Sequence, residues 1–269
     1  MKGIELFKDF ISFAASSVFI NRCLVCKRPI NEDDYSFHLP FSIPGGWPRE
    51  ILFFLQNKFI FKTVCGISLS AGVLCGDCWL KLNPAAEYPV AVIDDIPIIA
   101  PFRTNEILLK IIRYLKFSGG KSAAEPLSWW MASALKNYFQ NLADSALTEL
   151  LVVPVPLHRS RRRRRGYNQA TLLASRVSAE LRCSLRTDLL VRVKNTKSQS
   201  RLNASSREEN VRGAFYMRDK VERGSVDIVL VDDLVTTGET VRECAKVLKR
   251  GGVSAVTVLS AGASQASFK

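Results

Sequence analysis

The chain is 269 residues long, enough for one large domain or two of ordinary size, and its 47% hydrophobic and 23% charged residues are those of a globular protein able to bury a core. No uncharged run reaches the ~18 residues that a membrane span requires. The formal charge of +13 favours a polyanionic partner.

The first residues, Met1-Lys-Gly-Ile-Glu-Leu-Phe-Lys-Asp, carry acids where a secretory signal is apolar, so none is expected. The chain is therefore read as cytoplasmic, with reduced thiols that serve a metal rather than disulfides. Residues 4–20 suit a packing helix, with Leu6, Phe7, Phe10, Ile11, Phe13 and Ala14 on one broad side. Cys23-Leu-Val-Cys26 and Cys75-Gly-Asp-Cys78 come next. Each pair sets two thiolates on one tight turn, and two such knuckles complete a tetrahedral zinc site. The 48 residues between Cys26 and Cys75 form a long insert with Pro40, Pro44, Pro48 and an apolar run at 51–61. Cys65 and His38 lie inside it. Either can in principle replace a ligand, and the plainer reading is a small buried thiol and a solvated loop histidine.

Residues 83–89 mark the boundary between an N-terminal metal module, 1–88, and a second domain, 89–269. Residues 96–102 are a strand candidate, and Pro97 and Pro101 argue for an edge position. Thr104 is expected to cap a helix with Ile107, Leu108, Ile111, Ile112 and Leu115 in register, ended by Gly119-Gly120. A second helix is expected over 123–142, with Trp129 and Trp130 in the core. Residues 150–156 read as a buried strand. His158 and Arg159 follow at its carboxyl end, then Arg161, Arg162, Arg163, Arg164 and Arg165. Such a run is commonly a solvated patch or a nucleic-acid contact. Here it stands where ligands bind in open α/β sheets, and arginine forks match pyrophosphate oxygens two at a time. His158, Arg159 and some of the five arginines therefore suit pyrophosphate, and the rest a nucleic-acid backbone. Asn168 is expected to cap a helix through 182.

A strand at 189–193 leads into a polar, basic, poorly periodic stretch, 194–215. A loop this long in a compact domain is usually functional or disordered. A basic flap can close over a charged transition state and shut out water, with Gln199, Arg201, Arg207, Asn210 and Arg212 as its candidates. The apolar run 228–231 then reads as a strand buried on both faces, as in a parallel sheet. Asp232 and Asp233 follow, then Thr236-Thr237-Gly238-Glu239-Thr240 and a helical pattern closed by Gly251-Gly252. With the apolar run at 255–259 this makes a β-α-β unit. A helix amino end leaves N–H groups unpaired and suits an anion. Gly238 permits close approach, and the hydroxyls of Thr236, Thr237 and Thr240 can donate to phosphate oxygens. No lysine sits in the turn, so it is not a Walker A loop. Paired carboxylates beside such a cradle suit a sugar's vicinal hydroxyls or a hard metal ion.

Residues 228–240 resemble the phosphoribosyl-pyrophosphate (PRPP) signature of type I phosphoribosyltransferases. The resemblance implies that Asp232 and Asp233 hold the ribose, and that the turn from Thr236 through Gly238 and Glu239 to Thr240 holds the 5-phosphate, with Mg2+ accompanying PRPP. The paired knuckles, Val-Pro-Val-Pro-Leu-His-Arg, Arg-Gly-Tyr-Asn-Gln, the Gln…Arg…Arg…Asn-Val-Arg-Gly-Ala-Phe loop and Val-Asp-Asp-Leu-Val-Thr-Thr-Gly together resemble the ComF/GntX family. That resemblance implies a type I phosphoribosyltransferase-like parallel sheet flanked by helices, preceded by a zinc-ribbon module. It also implies a role in natural competence: handling incoming single-stranded DNA in the cytoplasm beside a ComF-type helicase partner. The hood that covers the acceptor base in this enzyme class is expected from residues 79–122 or the metal module, since nine residues follow Ser260. Two hypotheses follow. One is an active phosphoribosyltransferase, as in nucleobase salvage, with Arg201 and Arg207 beside the acids. The other is a DNA-binding accessory protein that keeps the phosphate cradle as a ligand site.

Overall fold

The computed structural model describes residues 22–29, 74–82, 90–117, 123–139, 149–195, 211–219 and 226–264. The chain divides into two compact units, Met1–Lys81 and Leu82–Lys269. The helix expected at 4–20, the insert with His38 and Cys65, the 83–89 boundary, Gly119-Gly120 and residues 196–210 of the flap lie outside the described residues. No helix among the described residues is long and apolar enough to cross a membrane.

In the first unit, residues 22–29 fold back on themselves. The Cys23 N–H donates to the Arg28 carbonyl and the Lys27 N–H to the Cys23 carbonyl, both at 2.8 Å. Arg22 and Pro29 close the loop as an antiparallel bridge, and Lys27 takes a left-handed φ of 65°. Helix α1 (Gly76–Leu82) begins directly after Cys75.

The second unit runs β1 (Val90–Ile93), β2 (Ile96–Ile99), β3 (Phe102–Arg103), α2 (Glu106–Lys116), α3 (Ala124–Tyr138), β4 (Leu151–Pro154), α4 (Arg159–Arg165), α5 (Gln169–Leu181), β5 (Ser184–Leu185), β6 (Leu190–Arg192), β7 (Phe215–Met217), β8 (Asp227–Val235), α6 (Glu239–Arg250) and β9 (Ala255–Ala263). The main sheet has the order β1-β2-β9-β8-β4-β5, with β3 also on β9. Every pairing in it is parallel except β1 with β2. This is the expected α/β architecture of a mostly parallel sheet flanked by helices. Strand β8 is central, which explains its sequence: Val229, Leu230 and Val231 are wholly buried because helices cover both faces.

The order of the strands positions the site. From β8 the chain crosses over α6 to β9 on one side, and from β4 it crosses over α5 to β5 on the other. Parallel crossovers are right-handed, so opposite directions place α6 and α5 on opposite faces. The crevice between the carboxyl ends of β8 and β4 is therefore the topological switch point, where ligands bind in open α/β sheets.

Several expectations change in detail. Pro97 was expected at an edge, yet β2 is interior and β1 takes the edge. Pro97 lies ahead of the stretch that pairs β9, which starts at Ile98↔Val258, so its missing N–H costs no bond on that side. The β1–β2 turn places Asp94 and Asp95 at positive φ, as a two-residue hairpin loop requires. Asn105, not Thr104, caps α2: its side chain accepts from the Leu108 N–H at 2.9 Å. Asn168 caps α5 as expected, accepting from the Ala170 N–H at 3.2 Å. Trp130 is buried and packs 5.8 Å from the Phe102 ring, while Trp129 is half-buried. The 228–231 strand runs on to Val235, so the acid doublet lies within β8 rather than after it.

Candidate functional site

Because β8 continues through the doublet, its side chains alternate between faces. Asp233 shares the side of Val229 and Val231, and its Oδ2 meets the Lys116 ammonium of α2 at 3.0 Å. Asp233 is buried, at 4% exposure, while Lys116 stays partly in contact with solvent. Asp232 shares the side of Ile228 and Leu230, lies within electrostatic reach of Arg192 from β6, and accepts the Asp233 N–H at 2.8 Å. Burial, and next the charge of Asp233, push the Asp232 carboxyl up to about 7 against the pull of Lys116 and Arg192.

The sign of that shift makes a stability prediction. Charging Asp232 is harder in the folded than in the unfolded chain. Its contribution to stability is full below its ordinary value of 3.8 and is lost as pH rises through about 7. Asp232→Asn is expected to flatten the decline of melting temperature across that window and to raise Tm at pH 8 by several degrees, the equivalent of a few kcal/mol at most. Thermal melts of both proteins across the window check it, and superimposable pH profiles contradict it.

The turn after β8 is held open. Gly238 starts α6 at φ 79°, a left-handed conformation, and a Cβ there would overlap Cδ1 of Ile93. The N-cap residue of α6 is this glycine, which has no side chain to cap the helix. The Thr237 Oγ1 is buried without a hydrogen-bond partner among the described residues. A helix terminus whose N-cap is a glycine, beside an unsatisfied buried hydroxyl, is what an anion would complete. The Ser264 N–H donates to the Val235 carbonyl at 2.9 Å and its hydroxyl to the Thr236 carbonyl at 2.6 Å, tying the turn to the end of β9. Thr240 is half-buried in the first turn of α6. The Glu239 carboxylate is engaged by Arg242 at 2.6 Å, and Arg242 also reaches Asp94 of the β1–β2 turn at 2.6 Å.

Across the crevice, the arginine run forms α4. His158 is its N-cap, with Nδ1 accepting the Ser160 N–H at 3.3 Å, and Gly166 closes it in a left-handed turn. Burial, and then the neighbouring Arg159, Arg192 and Arg161, lower the His158 pKa. The helix sorts the arginines by phase. Arg161 and Arg165, four apart, are half-buried on one side, while Arg159, Arg162, Arg163 and Arg164 are exposed. Burial lowers the pKa of Arg161, Arg165 and Arg192. Arg161 and Arg192 repel one another, and Arg165 is drawn by Asp233. Arg165 also donates to the Gln169 Oε1 at 2.9 Å. Lys116, Arg165 and Arg192 thus bear on the two carboxylates, and Arg161 stands beside Arg165 and Arg192, so cations outnumber acids here.

Sequence reasoning missed Lys116 and Arg192, which arrive from distant elements. Arg161 and Arg165 had a usable signal, the four-residue spacing inside a run bounded by a capping residue and Gly166. Of the flap candidates, Gln199, Arg201, Arg207 and Asn210 lie outside the described residues, and Arg212 is exposed. The ends of the flap are held side by side by β6 and β7, a separate antiparallel pair with Arg192 opposite Phe215. Lys194 donates to the Arg212 carbonyl at 2.8 Å, and the Gly213 N–H to Glu243 of α6 at 2.7 Å.

In the first unit, the sulfurs of Cys23, Cys26, Cys75 and Cys78 lie within 4.8 Å of one another. Tetrahedral zinc with Zn–S bonds of about 2.3 Å sets sulfurs about 3.8 Å apart. The Cys26–Cys75 separation is 3.6 Å, so the four thiols fit such an ion. Burial raises the Cys23 thiol, but N–H donors from Cys26, Cys75 and Val25 outweigh it and lower the pKa to about 7. Burial, then the neighbouring thiols, push Cys78 up. A cluster of mutually repelling thiols with one near ionisation suits a cation.

No protein-family model matches the chain. It is 34% identical over 199 residues to the DNA utilization protein YhgH of Escherichia coli K12, covering 72% of this chain and 80% of that protein. It is 40% identical over 108 residues to Competence protein F of Haemophilus influenzae, covering 40% of this chain and 47% of that one. Among solved structures, a purine phosphoribosyltransferase from Pyrococcus horikoshii is 13% identical with a TM-score of 0.28, over 48% of this chain and 70% of that one.

Proposed function

This chain belongs to the ComF/ComFC family of competence and DNA-utilization proteins, and we propose that it is a PRPP-binding, phosphoribosyltransferase-like protein that handles single-stranded DNA in the cytoplasm. One observation supports the ligand: a helix start whose N-cap is a glycine, with an unsatisfied buried Thr237 hydroxyl, follows an acid doublet that Lys116, Arg165 and Arg192 approach. The turn takes the 5-phosphate through its N–H groups and hydroxyls. Asp232 and Asp233 take the ribose hydroxyls, and the cations take the pyrophosphate. Magnesium, when bound, adds charge to the pyrophosphate oxygens. Lys116 must then leave Asp233, so it serves as the counterion of the ligand-free site. In the first unit the four cysteines hold zinc as a structural ion. DNA is drawn from the names of the relatives and from the charge of +13. The helicase partner implied by the family belongs to the same reading.

Calorimetric titration with PRPP and magnesium tests the ligand. One saturable site per chain is expected, and no heat at millimolar PRPP refutes it. For the strand, the logarithm of affinity should fall with the logarithm of salt at about 0.7 per phosphate neutralised. A flat response counts against DNA.

A further inference from the structure

The outward stripe of α2 carries Lys110, Arg113 and Tyr114 at spacings of three and four, which puts them on one helical face, and Phe117, the extended C-cap residue, follows directly after the helix. All four are exposed. Tyr114 is 36% and Phe117 51% exposed, so both rings present surface to solvent. Two contacts join this stripe to the arginine helix. The Arg165 guanidinium lies over the Phe117 ring, 5.6 Å from its centre. The Tyr167 hydroxyl, just past α4, donates to the Leu115 carbonyl and fixes the end of α2 against the start of α5. Tyr114 is near enough to Tyr167 for its charge to bear on that phenol. Rings and cations thus share one surface, beside which α4 carries the exposed Arg162, Arg163 and Arg164. From Leu109 to Phe117 the helix bears no acid.

Resting on the DNA reading above, we propose that Tyr114 and Phe117 form a stacking platform for the bases of single-stranded nucleic acid, while Lys110, Arg113 and the outer arginines of α4 hold its phosphates. The chemistry selects the strand. A duplex hides its base faces in its own stack, so exposed rings gain nothing from it, whereas unpaired bases present a π-face to any ring. The guanidinium behind Phe117 orders the ring and adds cation–π attraction. The lack of acids on this stretch, together with its cations, excludes a basic partner and fits a polyanion.

Anisotropy of a fluorescent oligothymidine with the full chain tests this. Phe117→Ala is expected to weaken binding about tenfold or more. It should remove the preference over duplex DNA and leave the salt slope unchanged, because no phosphate contact is lost. Replacing Arg162, Arg163 and Arg164 by glutamine should instead lower the slope by about 2. Phe117→Leu keeps the apolar contact without the π-face and decides the matter if the alanine variant melts early: loss of affinity supports the platform, and retained affinity overturns it. Phe117→Ala binding as wild type also overturns the platform but leaves the DNA reading standing. A wild-type chain that ignores the oligonucleotide defeats both, while PRPP titration remains an independent measure of the ligand site.

Discussion

Replacing Asp232 and Asp233 together by asparagine is expected to lower PRPP affinity by at least a hundredfold while the protein stays folded. Charge-assisted hydrogen bonds are worth about 1.5–3 kcal/mol each, and the two carboxylates offer several to ribose hydroxyls. Asparagine keeps the shape of each side chain but takes away the charge. The fold should not suffer, because Asp232 is held in a position that penalises its charge. Loss of Asp233 frees Lys116, which is partly exposed and can turn to water. Calorimetry with PRPP and magnesium, read beside circular dichroism, measures both effects. Undiminished heats from a folded double variant would refute the site. The single variants should differ: Asp233→Asn removes the partner of Lys116 as well as a ligand group, so its melting curve reports an ion pair that Asp232→Asn leaves intact.

The second large effect belongs to the cysteines. A structural zinc contributes on the order of 10–16 kcal/mol in zinc-finger peptides, as much as the whole stability of an ordinary domain, about 5–15 kcal/mol. Here the ion would join two knuckles separated by 48 residues. Closing a loop of that length costs about 3 kcal/mol plus a constant, which scattered side-chain contacts do not readily offset. Cys75→Ser removes a buried sulfur from the centre of the cluster. It is expected to abolish bound zinc and the melting transition of the first unit, while PRPP binding by the second persists. Metal analysis and calorimetric melting check this. A variant that still carries one zinc per chain and melts as wild type rules out these ligands.

Much of the fold was legible because it is written in contiguous residues. The apolar run 228–231, the 3.6-residue pattern of α6 and the closing glycines announce a β-α-β unit. The end of β8 was not legible, because two aspartates interrupt the apolar run and composition alone says stop, yet pairing of Asp232 with Ser260 and Leu234 with Gly262 carries the strand on. The short β1, β5 and β7 were missed for a related reason: two to four residues hold no period, and they exist because a neighbouring strand offers its edge. Thr104 was preferred to Asn105 as a cap although both are good capping types. One residue of phase decided between them, and only the backbone sets that.

By itself the amino-acid order determined the local chemistry: four thiols in two knuckles, an acid doublet with a threonine- and glycine-rich turn at the end of a buried strand, and a cationic run after another. Each lies within a few residues, where covalent geometry limits what the side chains can do. The tertiary structure alone decided which groups meet. Strand order made the gap between β8 and β4 the switch point, the phase of α4 turned Arg161 and Arg165 inward, and α2 and β6 delivered Lys116 and Arg192 to the acids. Those encounters depend on how helices and strands pack across the sheet, a long-range property that no window of sequence contains.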